Sequence, residues 1–303
     1  MKQSRRDFVK TSTVSLALGS AFLRSTALYA KTLGLPLALQ LYSVRDLLPK
    51  DFAGTLKQLG DLGYRECESA GYYNHSAAEV TQAIGSAGLK LVSAHYPMPM
   101  LRTQLDQVIN FSKDVGVPTI VCSSPALKDP TRLKDMSPEQ RHFAFTLDDW
   151  HWNAEQLNSI GEKVHAAGLN FGYHNHYTEF HVTDGVVPYD ELVRLTDPAK
   201  VTLEMDCGWV VVGGGNPVEY LRKYSKRITM LHIKDFKPFN RDKGEEPSPV
   251  ELGHGTIDYR PIFDEAAKGR NIKHVFVEQE AFTVPPMESL KIDAEYVKKL
   301  GAA

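Results

Sequence analysis

Cysteine is scarce in this 303-residue chain. Cys67, Cys122 and Cys207 lie far apart in apolar, strand-like runs, and none belongs to a Cys-x-x-Cys pair. An odd, dispersed set argues against a disulfide framework and for buried free thiols. A surplus of positive charge is also missing. The chain carries 35 Lys and Arg against 37 Asp and Glu, and residues 1–30 hold five of the basic and one of the acidic ones. The remainder stands at 30 against 36, a formal net charge of −6, whereas a nucleic-acid binder leans the other way. No glycine-rich phosphate turn follows the first strand-like run, and Gly213-Gly214-Gly215 lacks dinucleotide-fingerprint spacing; it reads as a flexible loop. Long apolar runs are absent too: residues 14–23 are apolar but short, and broken by Ser and Gly, which makes a poor membrane anchor.

The start of the chain reads as an address. Ser4-Arg5-Arg6-Asp7-Phe8-Val9-Lys10 resembles the twin-arginine export consensus, and the apolar run and a small-residue region reaching Ala30 follow it. Residues 1–30 are therefore expected to be a signal peptide, cleaved near Ala30, that sends the protein to the periplasm without a membrane anchor. Residues 31–303 are left as one domain.

From Leu37 onward the chain alternates. Apolar β-like runs fall at 37–42, 64–69, 90–94, 118–122, 170–175, 201–206, 228–233 and 273–278. Between them, apolar residues recur at spacings of three and four, as at 52–62, 77–87, 105–115, 154–167, 189–195, 217–224, 259–267 and 287–300. Gly63, Gly88, Gly116 and Gly168 stand where helices turn into strands. Eight β runs in alternation with eight helices predict an α/β fold, a single-domain (β/α)8 TIM barrel. Residues 123–150 read as a long loop over its mouth, a lid or oligomer contact. Residues 237–255 read as a second insertion, ending near His254.

Four of the runs close on residues able to bind metal or move protons. FGYHNHYTEF delivers His174, Asn175, His176 and Glu179. VTLEMDCGW delivers Glu204 and Asp206, ITMLHIKDF delivers His232, Lys234 and Asp235, and HVFVEQE delivers Glu278 and Glu280. In a barrel the strand C-termini converge on one mouth. Histidines mixed with carboxylates suit one divalent metal ion such as Mn, Co, Mg or Zn. Gln40, Glu68 and His95 add polar groups from the early strands, and Tyr42 and Trp209 could pack on a sugar ring. Several readings stay open. Glu204 is either a mouth residue or half of a strand-packing ion pair, Lys234 either polarises substrate or pairs with a neighbouring carboxylate, and Asp235 and Glu280 read as solvated or capping.

LQLYSVRD (39–46), SAHYP (93–97), YHNHYTEF (173–180), MDCGW (205–209), HIKDF (232–236), GHGTID (253–258) and VEQE (277–280) together resemble the xylose-isomerase-like TIM barrels grouped as sugar phosphate isomerases/epimerases. The resemblance covers residues 37–300. It implies one divalent metal held by a Glu, Asp, His, Glu set, carried here onto Glu179, Asp206, His232 and Glu278. Strand five departs from that pattern, with His174 where many members have Glu; Glu179 is taken as the substitute ligand and His176 as the next choice. Trp209 replaces the His of a common Asp-x-x-His. The implied chemistry is proton transfer beside a carbonyl, with Glu179, Glu278 and His176 as catalytic candidates. Gln40, His95, His174, Trp209, Lys234 and His254 are the expected contacts to a sugar or keto-sugar. Isomerase or epimerase is the leading expectation. A lyase or hydratase using the same enolate is the alternative, followed by a non-catalytic sugar-binding barrel. A nuclease is disfavoured, and a homo-oligomer is left open.

Overall fold

A computed structural model describes residues 33–301 except 135, 138–140, 142–143, 241–242 and 244. The proposed signal peptide lies outside the described residues.

Strand β1 (Ala38–Gln40) is followed by β2 (Glu66–Ser69), β3 (Lys90–Tyr96), β4 (Thr119–Cys122), β5 (Asn170–His174), β6 (Thr202–Asp206), β7 (Ile228–Ile233) and β8 (His274–Val277). All pair in parallel with their sequence neighbours, and β1 pairs with β8 through Ala38–Phe276 and Leu39–Val277, which closes the (β/α)8 barrel. Around it lie α1 (Phe52–Asp61), α2 (Ala77–Ser86), α3 (Met98–Thr103), α4 (Leu105–Val115), α5 (Leu147–Ala166), α6 (Pro188–Leu195), α7 (Cys207–Val212), α8 (Pro217–Lys223), α9 (Tyr259–Gly269) and α10 (Pro286–Lys299). A short antiparallel pair, Asp235–Phe236 with Pro249–Val250, stands beside the mouth. None of the described helices is long and apolar enough to cross a membrane. The three cysteines are free and buried.

Strand alternation sorts the side chains into two compartments. Leu39, Cys67, Ile120, Phe171, Tyr173, Leu203, Met205, Leu231 and Val277 join the main apolar cluster with the helices. Ala38, Val92, Val121, Met230 and Phe276 form a separate small cluster within the barrel. Below it Glu66 and His274 pair at 2.6 Å. One pleat above it, the same inward phase brings Gln40, Glu204, His232 and Glu278 to the mouth end. These mouth residues stand on a packed apolar floor, which fixes their height.

The loop expected at 123–150 is shorter than its composition suggested. Thr146 and Asp149 form a reciprocal capping box that starts α5 at Leu147, so Trp150 and Trp152 belong to a helix. Trp150 is buried against Phe145, with ring centroids 4.7 Å apart. Arg102 lies 4.7 Å over the half-buried Trp152 ring. At Gly116 and Gly168, φ of 82° and 84° confirms the left-handed turns expected there.

Candidate functional site

His174 ends β5, Asp206 ends β6, His232 lies in β7 and Glu278 follows β8. One ligand-type atom from each of the four lies within 4.8 Å of the others, and all four residues are buried. Two carboxylates deeper in the barrel hold the imidazoles. Glu204 Oε2 accepts from His95 Nε2 at 2.6 Å and from His174 Nδ1 at 3.1 Å. Glu68 Oε1 accepts from His232 Nε2 at 2.8 Å and from Gln40 Nε2 at 2.7 Å. His174 and His232 are thus each anchored by one nitrogen and present the other to the ligand group. His174 Nε2 faces Asp206 Oδ2 at 3.9 Å, and His232 Nδ1 lies 2.9 Å from Glu278 Oε2. A carboxylate behind each histidine is the arrangement that fixes the tautomer and orientation of a metal-ligating imidazole.

The donor set fits a divalent ion. Asp206 Oδ1 caps α7 by accepting from the Trp209 backbone N–H at 2.7 Å, while the buried Oδ2 takes no backbone hydrogen bond and faces only side-chain cations, the Lys234 ammonium at 3.0 Å and His174 Nε2 at 3.9 Å. Two imidazole nitrogens and two carboxylates, buried and within 4.8 Å of one another, suit a divalent cation with open positions. Asn175 makes the arrangement rigid by bonding both the N–H and the C=O of Asp206 through its side chain.

The electrostatics separate the acids from the bases. Burial works against a charged His95, but Glu68 and Glu204 outweigh it and push its pKa up to about 9. His232 is likewise raised above the ordinary imidazole range, burial being overcome by Glu204, Glu278 and Glu68. His174 is held well below that range by burial and by the neighbouring His232. Burial alone would raise Glu278, yet Lys234 and His232 keep it well below the usual carboxylate range. The Lys234 ammonium lies 3.0 Å from Asp206 Oδ2 and 2.9 Å from Glu278 Oε2, and it also bonds Glu280. Burial opposes its charge, but these carboxylates raise its pKa above the lysine norm.

A cavity of about 290 Å³ opens above this cluster, lined by Tyr42, His95, His174, His176, Glu278 and Glu280 among others. Four of the expected site residues therefore reach it: His95, His174, His176 and Glu278. Glu280, read from sequence as solvated or capping, lines it as well.

Glu179 does not. Its oxygens accept from the Tyr173 hydroxyl at 2.7 Å, the His176 N–H at 3.0 Å and the Thr178 hydroxyl at 2.8 Å. Tyr173 is out of phase with His174 and points into the outer core, so Glu179 is drawn behind the strand and His174 stands in the metal-ligand group in its place. Four expected substrate contacts are also absent from the cavity wall. Gln40 is spent on Glu68. Lys234 is enclosed by three carboxylates. Trp209 packs 4.8 Å from the Lys234 ammonium. His254 is more than half exposed and lies 3.7 Å from Glu251. Asp235 explains the last case: it is buried and accepts from the N–H groups of Gly253, Gly255 and Ile257, each at 3.0 Å. That shapes the GHGTI turn and leaves His254 facing outward.

The positioning roles of Glu68, Glu204 and Asn175 were missed in sequence. Glu204 had the right alternation phase with Asp206, and that was the available signal.

Residues 56–300 match the family model described as xylose isomerase-like TIM barrel. The inosose dehydratase of Geobacillus thermodenitrificans is 25% identical over 273 residues, covering 82% of this chain and 89% of that protein. An inosose dehydratase of Clostridium botulinum is 25% identical over 269 residues, with the same coverages. Among solved structures, a sugar phosphate isomerase/epimerase from Parabacteroides distasonis superposes with a TM-score of 0.72 at 26% identity, over 87% of this chain and 97% of that one.

Proposed function

The chain belongs to the xylose isomerase-like TIM barrel family, and on that premise we propose that it is a metal-dependent lyase that removes water, or another β-leaving group, from a keto-sugar or keto-polyol. The observation that carries this reading is the pairing, on one cavity wall, of a carboxylate held ionised, Glu278, with an imidazole held protonated, His95. Groups whose environments push their pKa values apart are suited to act as base and acid in one reaction.

His174, Asp206, His232 and Glu278 would hold the ion. When bound, a divalent ion supplies Lewis-acid polarisation of a substrate carbonyl and stabilises the negative charge that develops on it. The Glu278 carboxylate takes the proton from the carbon beside that carbonyl. His95 gives a proton to the hydroxyl on the next carbon, so the C–O bond breaks and water departs. Glu68 and Glu204 keep His95 charged for that step. His176 and Tyr42 orient the substrate at the mouth. The relatives named as inosose dehydratases support the same class of reaction.

A second reading, isomerisation or epimerisation, is favoured by the likeness to the Parabacteroides structure. It requires return of the proton to carbon, and the second carboxylate expected for that task, Glu179, is committed to Tyr173. The test is incubation of the metal-loaded protein with a panel of keto-polyols and keto-glycosides, read by mass spectrometry. A product lighter by water or by the leaving group, lost in Glu278→Gln, supports elimination; a product of unchanged mass moves the assignment to isomerase. We further propose, from the twin-arginine resemblance at Arg5 and Arg6, that the enzyme acts outside the cytoplasm. Replacing both arginines by Lys should stop export.

A further inference from the structure

The reaction proposed above makes no use of Lys234, yet the fold is built around it. Gly208 clears its path, since a Cβ there would come within 2.3 Å of Lys234 Cγ. The Tyr259 hydroxyl bonds both the N–H and the C=O of Lys234, which fixes its backbone and leaves only the side chain free to move. The ammonium is buried and sits beside Asp206 Oδ2 and Glu278 Oε2, at 3.0 and 2.9 Å. Asp206 and Glu278 are half of the proposed ligand set. The third carboxylate it touches, Glu280, lies outside that set, lines the cavity and is about a quarter exposed. Arg45 holds the Glu280 carbonyl at 3.1 Å.

We propose that Lys234 is a tethered cation that competes with the divalent ion for Asp206 and Glu278, and that Glu280 is where its ammonium withdraws when the ion binds. This rests on the metal reading above. An ammonium and a divalent ion in contact with the same oxygens repel each other strongly at low dielectric. Without the ion, two buried carboxylates need a compensating charge, and Lys234 provides it. With the ion in place, the ammonium keeps one ion pair, to Glu280. The pair Lys234–Glu280 therefore sets how tightly the ion is held.

The two halves of the pair should act in opposite directions, which a merely structural role would not produce. The experiment is competition for Mn²⁺ between a fluorescent chelator and the wild type, Asp206→Asn, Lys234→Met, Lys234→Arg and Glu280→Gln. Thermal unfolding with and without Mn²⁺ is followed alongside. Lys234→Met should bind Mn²⁺ about tenfold more tightly or better, from the charge removed, and should gain more from Mn²⁺ in Tm than the wild type does. Glu280→Gln should bind about threefold to tenfold more weakly, because the ammonium has lost its refuge. Lys234→Arg, with the charge kept, should stay near the wild type. Unchanged or weaker binding by Lys234→Met, or a shift of Lys234→Met and Glu280→Gln in the same direction, overturns the competition while leaving the metal site standing. Absence of Mn²⁺ binding in the wild type, or its persistence in Asp206→Asn, overturns the metal reading itself and the competition with it.

Discussion

Asp206 and Asp235 are both buried aspartates beside the ends of neighbouring strands, and their surroundings are opposites. Asp235 accepts from the N–H groups of Phe236, Gly253, Gly255 and Ile257, so both of its oxygens are satisfied by backbone. Asp206 uses one oxygen to cap α7 and turns the other to side-chain cations, with the Lys234 ammonium at 3.0 Å and His174 Nε2 at 3.9 Å. Full satisfaction by backbone marks a carboxylate that holds a turn together. An oxygen held only by a side-chain ammonium, and by no backbone group, marks one that can exchange one cation for another. From sequence, Asp235 looked like an ordinary loop-exit residue, and the difference appears only once the returning GHGTI turn is in place.

The largest effect that would test this contrast is expected at Asp235. Asp235→Ala strands several backbone N–H groups and should cost about 3–5 kcal/mol of stability in urea unfolding. Asp206→Asn, which keeps an N-cap oxygen for Trp209, should cost about 1 kcal/mol or less while removing ion binding.

Glu179→Gln should fall between them, at about 1–3 kcal/mol, because Tyr173, His176 and Thr178 all donate to that side chain. A fourth effect depends on pH. Burial, with Glu251 and Asp235 nearby, raises the Asp293 pKa from its ordinary 3.8 to about 7. The folded state therefore holds a proton that the unfolded chain releases, and the stability this group contributes is present at low pH and lost as pH rises through 7. Asp293→Asn keeps an acceptor for the Leu252 N–H, which Asp293 binds at 2.7 Å. It should be more stable than the wild type at pH 8 by about 2–4 kcal/mol, by less at pH 5, and nearly equal to it only at about pH 3, below the unfolded pKa, as read from Tm at the three pH values. The smallest effect is expected at the exposed His254, where substitution by Ala should change stability by less than about 0.5 kcal/mol.

The barrel was legible because its signals are local. Apolar runs, helical spacing and glycines at helix ends repeat along the chain, and strand alternation carries His174, Asp206, His232 and Glu278 to one compartment. The anchoring pairs were not legible, because they depend on the stagger of strands around the barrel. Glu68 meets His232 across 164 residues of chain, and no spacing rule reports that height. Glu179 was misplaced for a different reason. Alternation stops where β5 ends, so its side could not be counted from His174; a buried tyrosine hydroxyl next to His174 needed an acceptor, and that was the cue. Thr146 and Asp149 show a third case, in which a capping box four residues ahead of Trp150 turned an apparent loop into the start of a helix.

The measurement that bears most directly on the proposed centre is calorimetric titration of Mn²⁺ into the wild type, His174→Ala and Glu179→Gln. The expected result is one site per chain in the wild type and in Glu179→Gln, with binding lost or severely weakened in His174→Ala. Binding kept in His174→Ala and lost in Glu179→Gln would contradict the assignment of His174 as the strand-five ligand.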